Sequence, residues 1–377
     1  MKIKILFIIT TFQKDGPGNY LKYLVKYLDK SKFEIYACCL YNNGEIQQEL
    51  EYLGVKTFVF DMKSFIDISI VWKLKRLITE IEPDVVNTIL LRADLFGRTA
   101  AIGKCKVLLS TILNQDDYRQ KTTLSDKILM HFDEKLSNKY TNKIIVEAVG
   151  VKKYCIKYQN IDEEKYEVIN SLIDVNEIPQ NIKTLPFESK DKIIIGTAGR
   201  LHPQKGQEYL IEAFKSIANK YPNALLYIYG SGELECHLRE IVGENDLHDR
   251  IFFKGYTNNL YGALSEMDIY VMPSMWEGGA PISVLSSMAV GLPIISTNVG
   301  GIDEFISDGN EGLLIDVNDK NKVASKLEKA IESLINNKDK AKNLGANAKI
   351  KLYNNFAADK IAKKYEHLCF KLLGIDS

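Results

Sequence analysis

The sequence predicts an α/β protein built from two Rossmann-like, doubly wound parallel-sheet domains. Three observations carry this. Short apolar runs of strand length alternate with amphipathic stretches of helical period along both halves of the chain. That alternation fails once, in a polar stretch from Ser171 to Lys192 with two prolines, which reads as a linker. The 377 residues suit two domains of roughly 100–200 residues each. Two such domains joined by one linker face a central cleft, because ligands of this fold class bind outside the carboxyl ends of the strands.

In the first half, Ile3 to Ile9 reads as a buried strand, and a polar loop from Thr10 carries Gly16-Pro17-Gly18. The helix after it shows Leu21, Leu24, Val25 and Leu28 on one face. Strands are expected at Phe33 to Leu40, Val55 to Phe60, Val85 to Ile89, Val107 to Ile112 and Lys143 to Val146, with a last one ending at Ile169. Helices are expected over Ile70 to Ile81, stopped by Pro83, and over Ala93 to Ile102 and Asp126 to Tyr140. The second half restarts at Lys192 to Ile195 and continues with strands at Ala224 to Tyr229, Ile251 to Phe253, Ile269 to Met272, Ile294 to Thr297 and Gly312 to Ile315. Helices then fill Lys320 to Ile335, Asp339 to Leu352 and Ala357 to Leu373.

Composition narrows the function classes. The formal charge of zero disfavours a general polyanion or nucleic-acid binder. No apolar run approaches the roughly 20 residues of a membrane span, and MKIKILFIITTF reads as a first strand rather than a signal peptide. Six cysteines without a CxxC or Cys/His spacing suggest neither a zinc site nor a disulfide framework, and fit a reducing, cytoplasmic compartment. Lysines at 22, 26, 30 and 32, and Trp72 with Lys73, Lys75 and Arg76, form basic faces. Such faces suit either plain solvent or peripheral contact with an anionic membrane surface.

The stretch Asp268 to Glu304 carries the densest signal. It reads strand, polar turn, helix from Pro281, strand, glycine turn, which is one βαβ unit. Glu277, the helix start at Pro281 to Ser283, and Gly300-Gly301 then share one crevice, with the helix amides open to an anion and the carboxylate open to hydroxyls. Arg200 and Lys205 flank the loop GRLHPQKG after a strand, a placement that suits a diphosphate. Solvated side chains are the plain alternative for each. Gly16-Pro17-Gly18 lacks GxGxxG spacing, so a dinucleotide site is not supported. His202, His131 and Asp116-Asp117 have no local partners that would mark a base or a metal ligand.

These motifs, GTAGRLHPQKGQEYLIEAF, YIYGSGELE, the run from Ile251 to Ile315 and, more weakly, DVVNTILLRADLFGRTAA, together resemble the retaining glycosyltransferases of family four. The resemblance covers nearly the whole chain. It implies the GT-B fold, with residues 1–174 on the acceptor side, a linker at 175–190, a nucleotide-sugar domain at 191–354, and a final helix in 355–377 crossing back to the first domain. It also implies transfer of a sugar from a nucleotide sugar, commonly UDP-linked, with retained anomeric configuration and no required metal. The acceptor would be a glycan or lipid-linked sugar of a surface polysaccharide. By position, Arg200, Lys205 and Glu277 would be the catalytic set: the two cations on the donor diphosphate, the carboxylate on the donor sugar. The backbone from Gly278 and Gly279 through Ala280, Pro281, Ile282 and Ser283, with Gly300 and Gly301, would help hold sugar and phosphate. Gly16 and Gly18 would face the same cleft from the first domain.

Three departures from the family pattern stand out. Position 285 is leucine where a second glutamate is usual; one extra residue at Gly278-Gly279 brings Ser286 into that place. STILN at 110–114 has Leu113 in place of a histidine, and VNTIL also lacks histidines. They motivate an alternative from another class: a non-catalytic GT-B protein that binds a partner glycosyltransferase or a glycan.

Overall fold

The computed structural model describes residues 2–41, 44–64, 67–113, 124–179, 182, 187 and 191–376; Asp116-Asp117 lies outside them. The chain forms two compact units, Met1–Leu172 with Ala358–Ser377, and Ile173–Ala357.

Among the described residues the first unit holds seven parallel strands: β1 (Ile3–Ile9), β2 (Phe33–Cys39), β3 (Lys56–Val59), β4 (Val85–Ile89), β5 (Val107–Ile112), β6 (Lys143–Val146) and β7 (Tyr166–Val168). Their order is β3-β2-β1-β4-β5-β6-β7, so the winding reverses between β1 and β4. Ile5, Leu6, Phe7 and Ile8 are all fully buried, because helices cover both faces of a parallel sheet and its strands read as continuous apolar runs. One face is covered by the helix Ala358–Leu373: Phe370 stacks on Phe33 at 5.4 Å, and the Tyr365 hydroxyl accepts from Asn87 Nδ2 at 3.0 Å.

A buried ionic cluster sits beside this sheet. Arg98, on the helix Leu91–Ala101, bonds Asp133 on the helix Leu124–Tyr140 and reaches Ser110 Oγ at 2.6 Å and Asp94 Oδ1 at 3.6 Å. Asp94 accepts from Ser110 Oγ at 2.7 Å and also from Thr88. Burial pushes the Asp94 carboxyl up, against the pull of the Arg98 guanidinium.

The second unit holds six parallel strands among the described residues: β8 (Ile193–Ala198), β9 (Ala224–Tyr229), β10 (Ile251–Gly255), β11 (Ile269–Met272), β12 (Ile294–Thr297) and β13 (Leu313–Ile315), in the order β10-β9-β8-β11-β12-β13. Ile173 bridges to Ala357, so the chain enters and leaves this unit at neighbouring points. Four helices escape the hydrophobic period: Ile46–Tyr52, Val149–Tyr158, Glu235–Glu244 and Leu260–Ser265. Each buries only two residues, too few to mark a face.

Candidate functional site

In the second sheet β8 and β11 are neighbours whose connections leave in opposite directions, through the helix Gln207–Lys220 to β9 and through the helix Ile282–Val290 to β12. A doubly wound sheet opens its binding crevice at such a reversal. Two loops wall it, one after Ala198 and one after Met272. The first is shaped by His202, whose Nδ1 accepts the Gln204 N–H at 3.1 Å and caps the short turn Pro203–Lys205. That cap aims Lys205 across the crevice.

Lys205 Nζ lies 2.5 Å from Glu277 Oε1. Glu277 is 5% exposed, so its charge has left bulk water and depends on local donors. The second donor is Gln204 Nε2, 3.3 Å from Glu277 Oε2 and 3.0 Å from the Trp276 carbonyl. Gly300 packs against the back of Glu277: a Cβ at position 300 would stand 2.3 Å from the Glu277 carbonyl oxygen, and its φ of +62° also favours glycine. The floor of the crevice is polar. The buried Tyr270 hydroxyl donates to Ser283 Oγ at 2.8 Å, and burial pushes its pKa up. Ser274 Oγ and Gln207 Oε1 line the same crevice, buried and without hydrogen-bond partners. Buried polar atoms left open in this way mark a place that takes a polar ligand or water.

Lys205, Glu277, Pro281 and Ser283 thus line one crevice. Arg200 follows the lining residue Gly199 and is exposed; its carbonyl accepts from Gln207 Nε2 at 3.0 Å. Gly278, Gly279 and Ala280 form the turn between Glu277 and the helix. Pro281 stands at the cap rather than in the first helical turn: its ψ of 150° is extended, and its carbonyl accepts from Val284 and Leu285 at 2.9 and 3.1 Å. The amides of Ile282 and Ser283 therefore open the helix without an intrahelical acceptor. Gly301, with φ of +83°, completes the turn after β12. Ser286, one turn beyond Ser283 on the same helix, is buried, its hydroxyl against Tyr261.

Gly16 and Gly18 belong to the first unit. The Gly18 N–H donates to Asp15 Oδ1 at 2.9 Å, and a Cβ on Gly18 would meet the Gln13 carbonyl at 1.9 Å, so packing alone requires this glycine. Leu113 packs against the first core. Gln204, Gln207, Tyr270 and Ser274 are crevice residues that motif reading missed. The signal for the two glutamines is their position on either side of Lys205-Gly206. Among the described residues, no three His, Cys, Asp or Glu side chains gather as a metal site.

Comparison with known proteins identifies the family and the fold. Residues 14–177 match the family described as Glycosyltransferase Family 4, and residues 179–351 match Glycosyl transferases group 1. An uncharacterized glycosyltransferase of Methanocaldococcus jannaschii is 28% identical over 68% of this chain and 66% of its own length. The UDP-Gal:alpha-D-GlcNAc-diphosphoundecaprenol alpha-1,3-galactosyltransferase of Escherichia coli is 27% identical over 83% of this chain and 80% of its own. The structure of Anabaena HepE in complex with UDP-glucose superposes with a TM-score of 0.82, at 19% identity, over 98% of this chain and all of that one, which shows a shared fold. Nothing among these favours the non-catalytic alternative. The two family matches follow one another along nearly the whole chain, and this protein belongs to the group 1, family-four glycosyltransferases of the GT-B fold.

Proposed function

We propose that this glycosyltransferase moves a hexose from a UDP-sugar to a hydroxyl of a glycan or lipid-linked sugar, with retained configuration and no resident metal. The Lys205–Glu277 pair at the reversal point carries the reading, supported by the open polar atoms of Ser274 and Gln207 beside it. Lys205 and Arg200 would meet the diphosphate, the amides of Ile282 and Ser283 would add the positive end of a helix, and Glu277 would accept from sugar hydroxyls. In the transfer, the bond from the anomeric carbon to the phosphate oxygen breaks while the bond to the acceptor oxygen forms on the same face. The acceptor proton passes to the departing phosphate. Charge then develops on the phosphate oxygens, where fixed cations help most. The E. coli relative named for a UDP-galactose donor and a diphosphoundecaprenol-linked acceptor supports both the nucleotide and the acceptor class.

A screen of UDP-, GDP- and ADP-sugars read by nucleotide release tests this directly. UDP-hexoses release UDP, and UDP at a hundred times its Kd raises stability by about 2.7 kcal/mol. Absence of any thermal shift with all three nucleotides overturns the reading.

The same proposal places the enzyme in the cytoplasm at a membrane face, in keeping with the free cysteines and the lipid-linked acceptor of that relative. Among the described residues, no helix is long and apolar enough to cross a membrane. On the first unit, Ile68 is 73% and Trp72 71% exposed at the start of the helix Ser69–Ile81, with Lys73 and Arg76 also exposed. Exposed apolar side chains beside cations suit an anionic interface. Trp72→Ala should reduce co-sedimentation with phosphatidylglycerol vesicles several-fold and leave UDP affinity unchanged; equal co-sedimentation of both proteins removes this helix from the contact.

A further inference from the structure

The two donors on Glu277 differ in freedom. Lys205 has a flexible four-carbon stem, and its side chain is 20% exposed. Gln204 is 8% exposed and fastened on three sides. Its carbonyl accepts the Met275 N–H at 2.7 Å, its own N–H is held by His202 Nδ1 at 3.1 Å, and its side-chain nitrogen donates to the Trp276 carbonyl at 3.0 Å. The amide orientation is fixed by chemistry: the Trp276 carbonyl and the Glu277 carboxylate are both acceptors, so nitrogen must face them.

A diphosphate in this crevice competes for the Lys205 ammonium. A carboxylate buried as deeply as Glu277 then loses its counter-charge, and an unpaired buried charge is strongly unfavourable. One donor stays behind. We propose that Gln204 is the positioning residue that holds Glu277 charged and aimed when Lys205 turns to the diphosphate. This rests on the reading of the crevice as the donor site. Gln204 touches neither sugar nor phosphate in this account; it acts through Glu277 and makes the departure of Lys205 tolerable. A residue that only braced the loop would act regardless of the charge at position 277.

That difference gives the test. UDP affinity is measured by calorimetry for the native enzyme, Gln204→Leu, Glu277→Gln and the double variant. Gln204→Leu should weaken UDP about tenfold, the scale of one hydrogen bond to a charged group. Glu277→Gln should leave UDP affinity within about twofold, and on that background Gln204→Leu should have no further effect, because no charge remains to be held. Equal weakening in both backgrounds, or none in either, overturns the proposal. A ligand-free cycle asks the same question by urea unfolding. Gln204→Leu should destabilise a Lys205→Met protein more than it destabilises the native one, and Glu277→Gln should abolish that excess; additive losses overturn the proposal even if UDP does not bind. The donor reading itself is judged separately. Glu277→Gln should lower release of UDP from UDP-glucose, UDP-galactose and UDP-N-acetylglucosamine, and undiminished release would remove Glu277 from the sugar while the unfolding cycle still decides about Gln204.

Discussion

Replacing Lys205 by alanine weakens UDP binding by about tenfold to a hundredfold and lowers turnover further. The first figure follows from losing the proposed charge-assisted contact with the diphosphate, about 1.5–3 kcal/mol. The second follows from timing. Negative charge on the phosphate grows as the sugar leaves, so a cation there supports the transition state more than the ground state, and removal of one such group commonly lowers kcat by about 10²–10³. The variant also strips Glu277 of the ammonium 2.5 Å away. Calorimetry with UDP and steady-state release assays with UDP-sugars separate the two effects. Unchanged UDP affinity would place the diphosphate elsewhere.

Arg98→Met should cost about 3–5 kcal/mol of stability, because it takes the guanidinium from the buried Asp94 and Asp133 side chains. In a thermal scan this lowers the first unit's transition by roughly 6–20 °C. Adding Asp94→Asn and Asp133→Asn should recover much of the loss, since what destabilises is uncompensated charge more than lost volume. Urea unfolding of the single and triple variants checks this. An Arg98→Met protein as stable as the parent would mean that the cluster is solvated.

The sheets were legible because parallel strands are buried on both faces. Ile5 to Ile8, and Ile269 to Met272, announce themselves as uninterrupted apolar runs. Lys205 and Glu277 were legible as separate residues on loops after strands. Their pairing was not, because it joins positions 72 residues apart. Gln204 was hidden for the same reason: a glutamine beside a lysine says nothing until the loop after β11 is laid against it. The strand-end segments VNTIL and STILN looked like site stretches by resemblance. In the structure Thr88 and Ser110 serve the Arg98 cluster, while Thr111 Oγ1 donates to Asn87 Oδ1 at 3.0 Å and Asn87 to Tyr365. Polar residues at strand ends therefore bind the first unit together here. Ser286 was named by spacing alone, and spacing could not show that its hydroxyl lies against Tyr261.

The helix Ala358–Leu373 has a consequence for biogenesis. It belongs to the first unit although it is made after the second. Until it leaves the ribosome, the nascent amino-terminal half carries a greasy wall where Phe7 and Phe33 await Tyr365 and Phe370. The other half is contiguous in sequence and has all its parts sooner. Maturation thus runs against the direction of translation, and a chain stalled at residue 357 would carry a finished second sheet attached to a sticky, unfinished partner of the kind that chaperones and proteases recognise.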